Sequence, residues 1–131
     1  ELRQARVSVL ALPASDIYMM ARGDCCNQRR GVAPVHRLGE AGVCAAFATN
    51  NVQNLFTFTG DGDVLKVATL LAQLLQLGSR ESHRRCLEMA TSVAASAIGV
   101  EHKLEAGHWA DLVLLDCTSA TAALATPPVA R

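Results

Sequence analysis

Val43-Cys44-Ala45-Ala46-Phe47-Ala48-Thr49-Asn50-Asn51 is the stretch that decides the fold. Its apolar residues run without alternation and stop at a cluster of polar side chains. A strand buried on both faces reads this way, because neither side of its pleat meets water. Upstream, Val7-Ser8-Val9-Leu10-Ala11-Leu12 has the same character and ends at Pro13, so a second buried strand is expected there. Between the two, residues 13–33 read mainly as loop, with at most a turn of helix at Ile17–Met20. Pro34 then suits the first turn of a short helix with Val35, Leu38 and Ala41 on one face, closed by Gly42.

Downstream, residues 50–62 read as loop, punctuated by Gly60 and Gly62. Asp63 is a good N-cap for a helix carrying Val64, Val67, Leu71, Leu74 and Leu75. This helix is apolar almost all round, so heavy burial is expected, and Gly78 is expected to stop it. Ser79 or Ser82 caps a further helix with a stripe of Cys86, Ala90, Val93 and Ala97, ended by Gly99. Leu112-Val113-Leu114-Leu115 reads as a short strand after the turn at Gly107, and residues 117–131 as a loose tail. Strand, helix, strand, helix, helix, strand is an order that favours an α/β layer with parallel strands.

The chain has 131 residues, half of them hydrophobic, with a formal net charge of zero. That balance speaks against a basic nucleic-acid binder. No apolar stretch approaches the roughly 20 residues a bilayer span needs, so no membrane role is expected. Residues 1–12 do not read as a signal peptide. Cys25, Cys26, Cys44, Cys86 and Cys117 are odd in number and irregular in spacing. No disulfide framework or structural zinc spacing emerges, which points to a reducing, cytoplasmic setting with thiols acting as small buried hydrophobes.

Two loops follow the buried strands, Pro13–Val32 and Thr49–Gly62. In α/β barrels and open α/β sheets, that end of the strands holds the active site. The first loop carries Asp16, Arg22, Asp24, Asn27, Arg29 and Arg30. The second carries Asn50, Asn51, Asn54, Asp61 and Asp63. By themselves these residues serve equally as solvated turns and caps. Arg29 and Arg30 are expected to brace the first loop against Asp24 or Asp16. Arg22-Gly23-Asp24 also spells an adhesion tripeptide, but three residues match by chance often.

The segments Arg22-Gly23-Asp24-x-x-Asn27-x-Arg29-Arg30-Gly31-Val32, Ala41-Gly42-Val43 and Thr49-Asn50-Asn51-Val52-x-Asn54-x-Phe56 resemble, in order and spacing, the end of the barrel in cytosine deaminases. Leu104-Glu105-Ala106-Gly107-His108-Trp109-Ala110-Asp111-Leu112-Val113-Leu114-Leu115-Asp116 is similar to the segment by which metal-dependent amidohydrolases return to their small β-sandwich. The resemblance implies a partial TIM barrel: residues 1–99 as its last two β/α units, 100–116 as the return segment with one sandwich strand, and 117–131 as the tail. It also implies a divalent metal, zinc or iron, in the complete enzyme, where the metal-bound water attacks a cyclic amidine or amide carbon.

The family's metal-binding His-x-His is absent from this sequence. None of His36, His83, His102 and His108 matches a ligand position, and all four read as surface or capping residues. This chain alone is therefore expected to bind no metal. Asn50 stands where the family carries a metal-contacting, proton-shuttling Asp. Its amide oxygen is a poorer ligand and cannot take up a proton at working pH. The resemblance leaves a substituted carboxylate, Asp61 or Asp63, as one way to restore that role. Asn51 and Phe56 match substrate-side positions, with core packing the other reading of Phe56.

A complete (β/α)₈ barrel takes about 250 residues. The chain is thus expected to be a fragment whose partner is the missing N-terminal barrel portion or a second copy of itself, joined through exposed strand edges. Two readings follow. In one it completes a C–N hydrolase acting on a small heterocycle. In the other it is a non-catalytic remnant or pseudoenzyme that binds a partner chain or a heterocycle.

Overall fold

A computed structural model describes residues 1–50 and 52–126. Two short strands, β1 (Val9–Ala11) and β2 (Ala45–Phe47), pair in parallel with Val9 opposite Ala45 and Ala11 opposite Phe47. Around them lie six helices: α1 (Pro13–Met19), α2 (Val35–Glu40), α3 (Val64–Leu74), α4 (Arg80–Ala90), α5 (Ser92–Ala97) and α6 (Ala120–Ala125). The architecture is mixed α/β with a small parallel sheet. Among the described residues no helix is long and apolar enough to cross a membrane.

The core forms where helices cover the sheet. Ala11, Ala45 and Phe47 meet Val35 of α2, Val67, Ala68, Leu71 and Ala72 of α3, Cys86 and Met89 of α4, and Leu124 of α6. All three residues of β2 are buried, as its unbroken apolar run requires. On β1, Leu10 faces out and is exposed. Burial of α3 is one-sided rather than complete: Leu74 is exposed at the last turn.

Caps and exits account for most boundaries. Asp63 Oδ1 accepts the Leu65 N–H at 2.9 Å and starts α3. Ser79 and Ser82 form a reciprocal capping box at the start of α4. Gly42 and Gly99, both with φ near +75°, provide left-handed exits from α2 and α5. The exit of α3 lies earlier than Gly78. Gln76 adopts φ +55°, the Leu77 N–H reaches Ala72 O at 2.8 Å, and the Gln76 N–H reaches Gln73 O at 3.3 Å. This pair of hydrogen bonds is the glycine-type exit built with a glutamine.

Four expectations need correction. Residues 13–19 form helix α1 instead of loop, because Pro13 both ends a strand and opens a helix. The helix expected up to Gly99 breaks at Thr91, whose backbone leaves the helical region and whose hydroxyl donates to Leu87 O at 2.9 Å. Leu112–Leu115 forms no strand: Leu112, Val113 and Leu114 are exposed, and no strand among the described residues lies beside them to share hydrogen bonds. Residues 120–125 are helical instead of loose, capped by Ser119, with Ala123 and Leu124 buried. Residues 127–131 of the expected tail lie outside the described residues.

Candidate active site

Parallel pairing brings the ends of β1 and β2 to the same edge of the sheet. The chain leaves β1 through Leu12 and enters α1 at once, which puts Ser15 in the first helical turn, buried. The chain leaves β2 through Ala48 and Thr49, which puts Asn50 at the matching height. The Ser15 hydroxyl donates to Asn50 Oδ1 at 2.6 Å. This bond ties the two strand ends together and sets the amide of Asn50, with its oxygen turned to Ser15.

Beyond Asn50 the loop is organised by Asn54. Its Oδ1 accepts the N–H groups of Phe56 at 3.0 Å and Thr57 at 3.1 Å, and its own N–H reaches Thr57 O at 2.8 Å. The Gln53 side chain closes the loop on Gly60 O at 3.0 Å. This self-bonded turn lifts Phe56 outward, where it is 64% exposed. Phe56 is therefore not part of the core. Asn51 lies outside the described residues.

The two carboxylates considered as substitutes line one pocket with Thr49 and Ala14, at the edge where the strands end, and both already have partners. Asp63 caps α3. Asp61 pairs with Lys66 and accepts the Asp63 N–H at 3.1 Å. The hydrogen bond from Lys66 holds the Asp61 carboxyl below the usual carboxylate range and raises the Lys66 ammonium in turn. The first loop also differs from expectation. Arg30 does brace it, but on Met20 O at 2.8 Å and on Gln28 Oε1 at 3.0 Å. Among the described residues neither Arg29 nor Arg30 pairs with a carboxylate. Arg22 instead lies over the Tyr18 ring, 5.1 Å from its centre.

Among the described residues no histidine lines the pocket beside Thr49 at the C-terminal strand ends. His83 bridges Leu77 O at 2.8 Å and Thr121 Oγ1 at 3.0 Å, which links the exit of α3 to α6. His102 bonds to Asp111 O at 3.0 Å. His36 is half-buried on α2, with Nδ1 buried and without a partner among the described residues. Among the described residues no three His, Cys, Asp or Glu side chains gather. The two donors that meet there, the Ser15 hydroxyl and the Asn50 amide oxygen that accepts from it, are neutral. By themselves they do not fit a divalent metal centre, which needs charged oxygens or imidazoles.

A sequence profile of the amidohydrolase family matches residues 2–131. The chain belongs to the amidohydrolase family. Members of this family generally use divalent metals. The chain is 31% identical over 97 residues to N-isopropylammelide isopropyl amidohydrolase of Pseudomonas sp. strain ADP, covering 72% of this chain and 24% of that protein. It is 32% identical over 114 residues to a pterin deaminase of Rhizobium rhizogenes, covering 85% of this chain and 26% of that protein. The structure of 5-methylcytosine deaminase from Klebsiella pneumoniae liganded with phosphonocytosine matches with a TM-score of 0.85 at 26% identity, covering 95% of this chain and 31% of that one. This amidohydrolase chain is thus cytosine deaminase-like in fold, and it spans about a quarter of the length of the curated relatives it matches.

Ser15 is the site residue that sequence reading missed. The signal was present: Pro13 directly after a strand is also a helix-opening residue, and a Ser two positions on falls in the first turn. Its partner at Asn50 is visible only once the parallel register is known.

Proposed function

We propose that this chain supplies the last two β/α units of a barrel that hydrolyses C–N bonds, other than peptide bonds, in cyclic amidines or amides. Residues 1–99 belong to the barrel and 100–116 to the return into the sandwich. The observation that carries the reading is the Ser15–Asn50 bond at the C-terminal strand ends, the place where such barrels do their chemistry. There Asn50 offers the heterocycle a fixed amide, Asn51, next in the sequence, is the second substrate-side residue by resemblance, and Phe56 offers a ring face for stacking. The metal-ligating side chains come from the remainder of the barrel. The free thiols suit the cytoplasm.

The experiment is complementation. The chain is mixed with the N-terminal barrel portion of a deaminase relative that carries His-x-His, and ammonia release is followed with cytosine, 5-methylcytosine and a pterin. Neither part alone releases ammonia, and the mixture does. A mixture that associates but stays silent on every ring defeats the reading. The DNA upstream of the Glu1 codon provides a second check, because a natural split or longer enzyme encodes the ligand strands there.

A second reading is a non-catalytic module that binds a heterocycle or a partner chain. The neutral amide at position 50, where the resemblance calls for Asp, favours it. It is distinguished by heterocycle binding, measured calorimetrically, without turnover in the complemented assembly.

A further inference from the structure

Cys25 and Cys26 depart from the expectation that the thiols are buried. Both are exposed, whereas Cys44 and Cys117 are half-buried and Cys86 is buried. Their Sγ atoms are 4.0 Å apart. The turn that carries them is closed locally. The Asp24 N–H donates to Ala21 O at 3.2 Å, and the Gln28 side chain reaches back across both cysteines to Asp24 O at 2.9 Å. Arg30 in turn holds Gln28 and ties the turn to Met20 O, at the end of α1. The backbone is left-handed at Ala21 and Asn27, on either side of the pair.

We propose that Cys25 and Cys26 form a two-sulfur site for a soft monovalent d¹⁰ cation of the Cu(I) class. Three observations select this occupant. The sulfurs already sit at a separation that one bridging ion spans. With metal–sulfur bonds of about 2.3 Å, 4.0 Å corresponds to an S–metal–S angle of roughly 120°, and rotation of these two exposed side chains opens it toward the roughly 4.6 Å of a linear two-coordinate ion. No third His, Cys, Asp or Glu joins them among the described residues, and zinc in a protein site takes four ligands whereas a monovalent d¹⁰ ion is satisfied by two thiolates. The charge also balances. Two thiolates and one monovalent cation leave a single negative charge, and the same loop carries Arg22, Arg29 and Arg30 against one carboxylate, Asp24. Binding breaks two S–H bonds and forms two S–metal bonds, and both protons pass to the buffer. The site is independent of the proposed hydrolase chemistry, since neither cysteine touches the Ser15–Asn50 bond.

The test is an anaerobic titration of the reduced, metal-free chain with Cu(I) against a chromophoric Cu(I) chelator. One tightly held Cu(I) is expected per chain. Cys25→Ser and Cys26→Ser each lose it, and Cys44→Ser and Cys117→Ser keep it. X-ray absorption of the loaded wild-type chain is expected to show two sulfur neighbours and needs no variant. The proposal is overturned if the Cys25→Ser/Cys26→Ser double variant withholds as much Cu(I) as wild type. It is equally overturned if equimolar Zn(II) displaces the ion, or if the absorption data show three or more ligands.

Discussion

Ser15 and Asn50, one in the first turn of α1 and the other just past β2, share a side-chain hydrogen bond of 2.6 Å that closes the C-terminal edge of the parallel pair. A neutral bond of this kind is worth about 1 kcal/mol net. Ser15→Ala and Asn50→Ala are each expected to lower stability by about that amount. The double variant is expected to fall short of their sum by about 1 kcal/mol, read from urea midpoints. Strict additivity would mean that the two side chains do not interact in solution.

Asp63 caps α3 through Oδ1. Asp63→Ala is expected to cost about 1 kcal/mol, and Asp63→Asn only a few tenths, because the amide oxygen still accepts the Leu65 N–H. In the complemented assembly Asp63→Asn leaves turnover unchanged. Loss of turnover with stability intact would return Asp63 to the chemistry.

The Thr57 hydroxyl is buried in the turn that Asn54 organises and has no partner among the described residues. An unsatisfied buried polar group costs about 1–3 kcal/mol. Thr57→Val keeps the shape and removes the group, so a gain of about 1 kcal/mol is expected with an unchanged urea m-value. A loss would reveal a hydrogen bond to that hydroxyl.

Gln76 holds a left-handed conformation at the exit of α3. Glycine takes that conformation without strain. Gln76→Gly is therefore expected to stabilise by about 0.5 kcal/mol after the added freedom of the unfolded chain is subtracted. Gly99→Ala, at the equivalent exit of α5, goes the other way by about 1 kcal/mol. Thermal melts of the two variants decide the signs.

Burial pushes the Cys86 thiol up to about 11, from 9.0 for a free thiol. Its S–H donates to Ala68 O at 3.5 Å. Because the folded value lies above the unfolded one, the contribution is fully present below pH 9.0 and is lost as pH rises toward 11. In that window the unfolded chain releases a proton that the folded chain keeps, so stability falls by up to about 1.4 kcal/mol per pH unit. Cys86→Ala flattens the alkaline limb, measured by urea melts across that range. In native buffer, Cys25 and Cys26 react with a thiol reagent at once and Cys86 only on unfolding.

How far the fold was legible depended on whether a boundary residue carried one meaning or two. Thr49 and Asn50 could only end β2, and Asp63 could only begin α3, so both boundaries were readable. Pro13 could end β1 or open α1, and it does both. At Gln76 a left-handed exit was built without glycine, which displaced the expected stop to Gly78. The stripe of Cys86, Ala90, Val93 and Ala97 runs through the break at Thr91 as if the helix were continuous, since periodicity is blind to one residue's ψ. Leu112–Leu115 has the composition of a strand, but a strand exists only with a partner. At the candidate site Asn50 was marked by resemblance. Ser15 was not, because its role arises from register across a sheet and not from its neighbours in the chain.

Val9 meets Ala45 only after the chain has passed through α1, the long first loop and α2. No local turn can nucleate such a pair, so the sheet waits for ring closure while the helices form early. Until then the apolar residues of β2 stay in solvent with their peptide groups unmatched. The slowest step in assembling this molecule is thus also the one that most invites another copy to bind in place of β1, and refolding yield should fall as protein concentration rises.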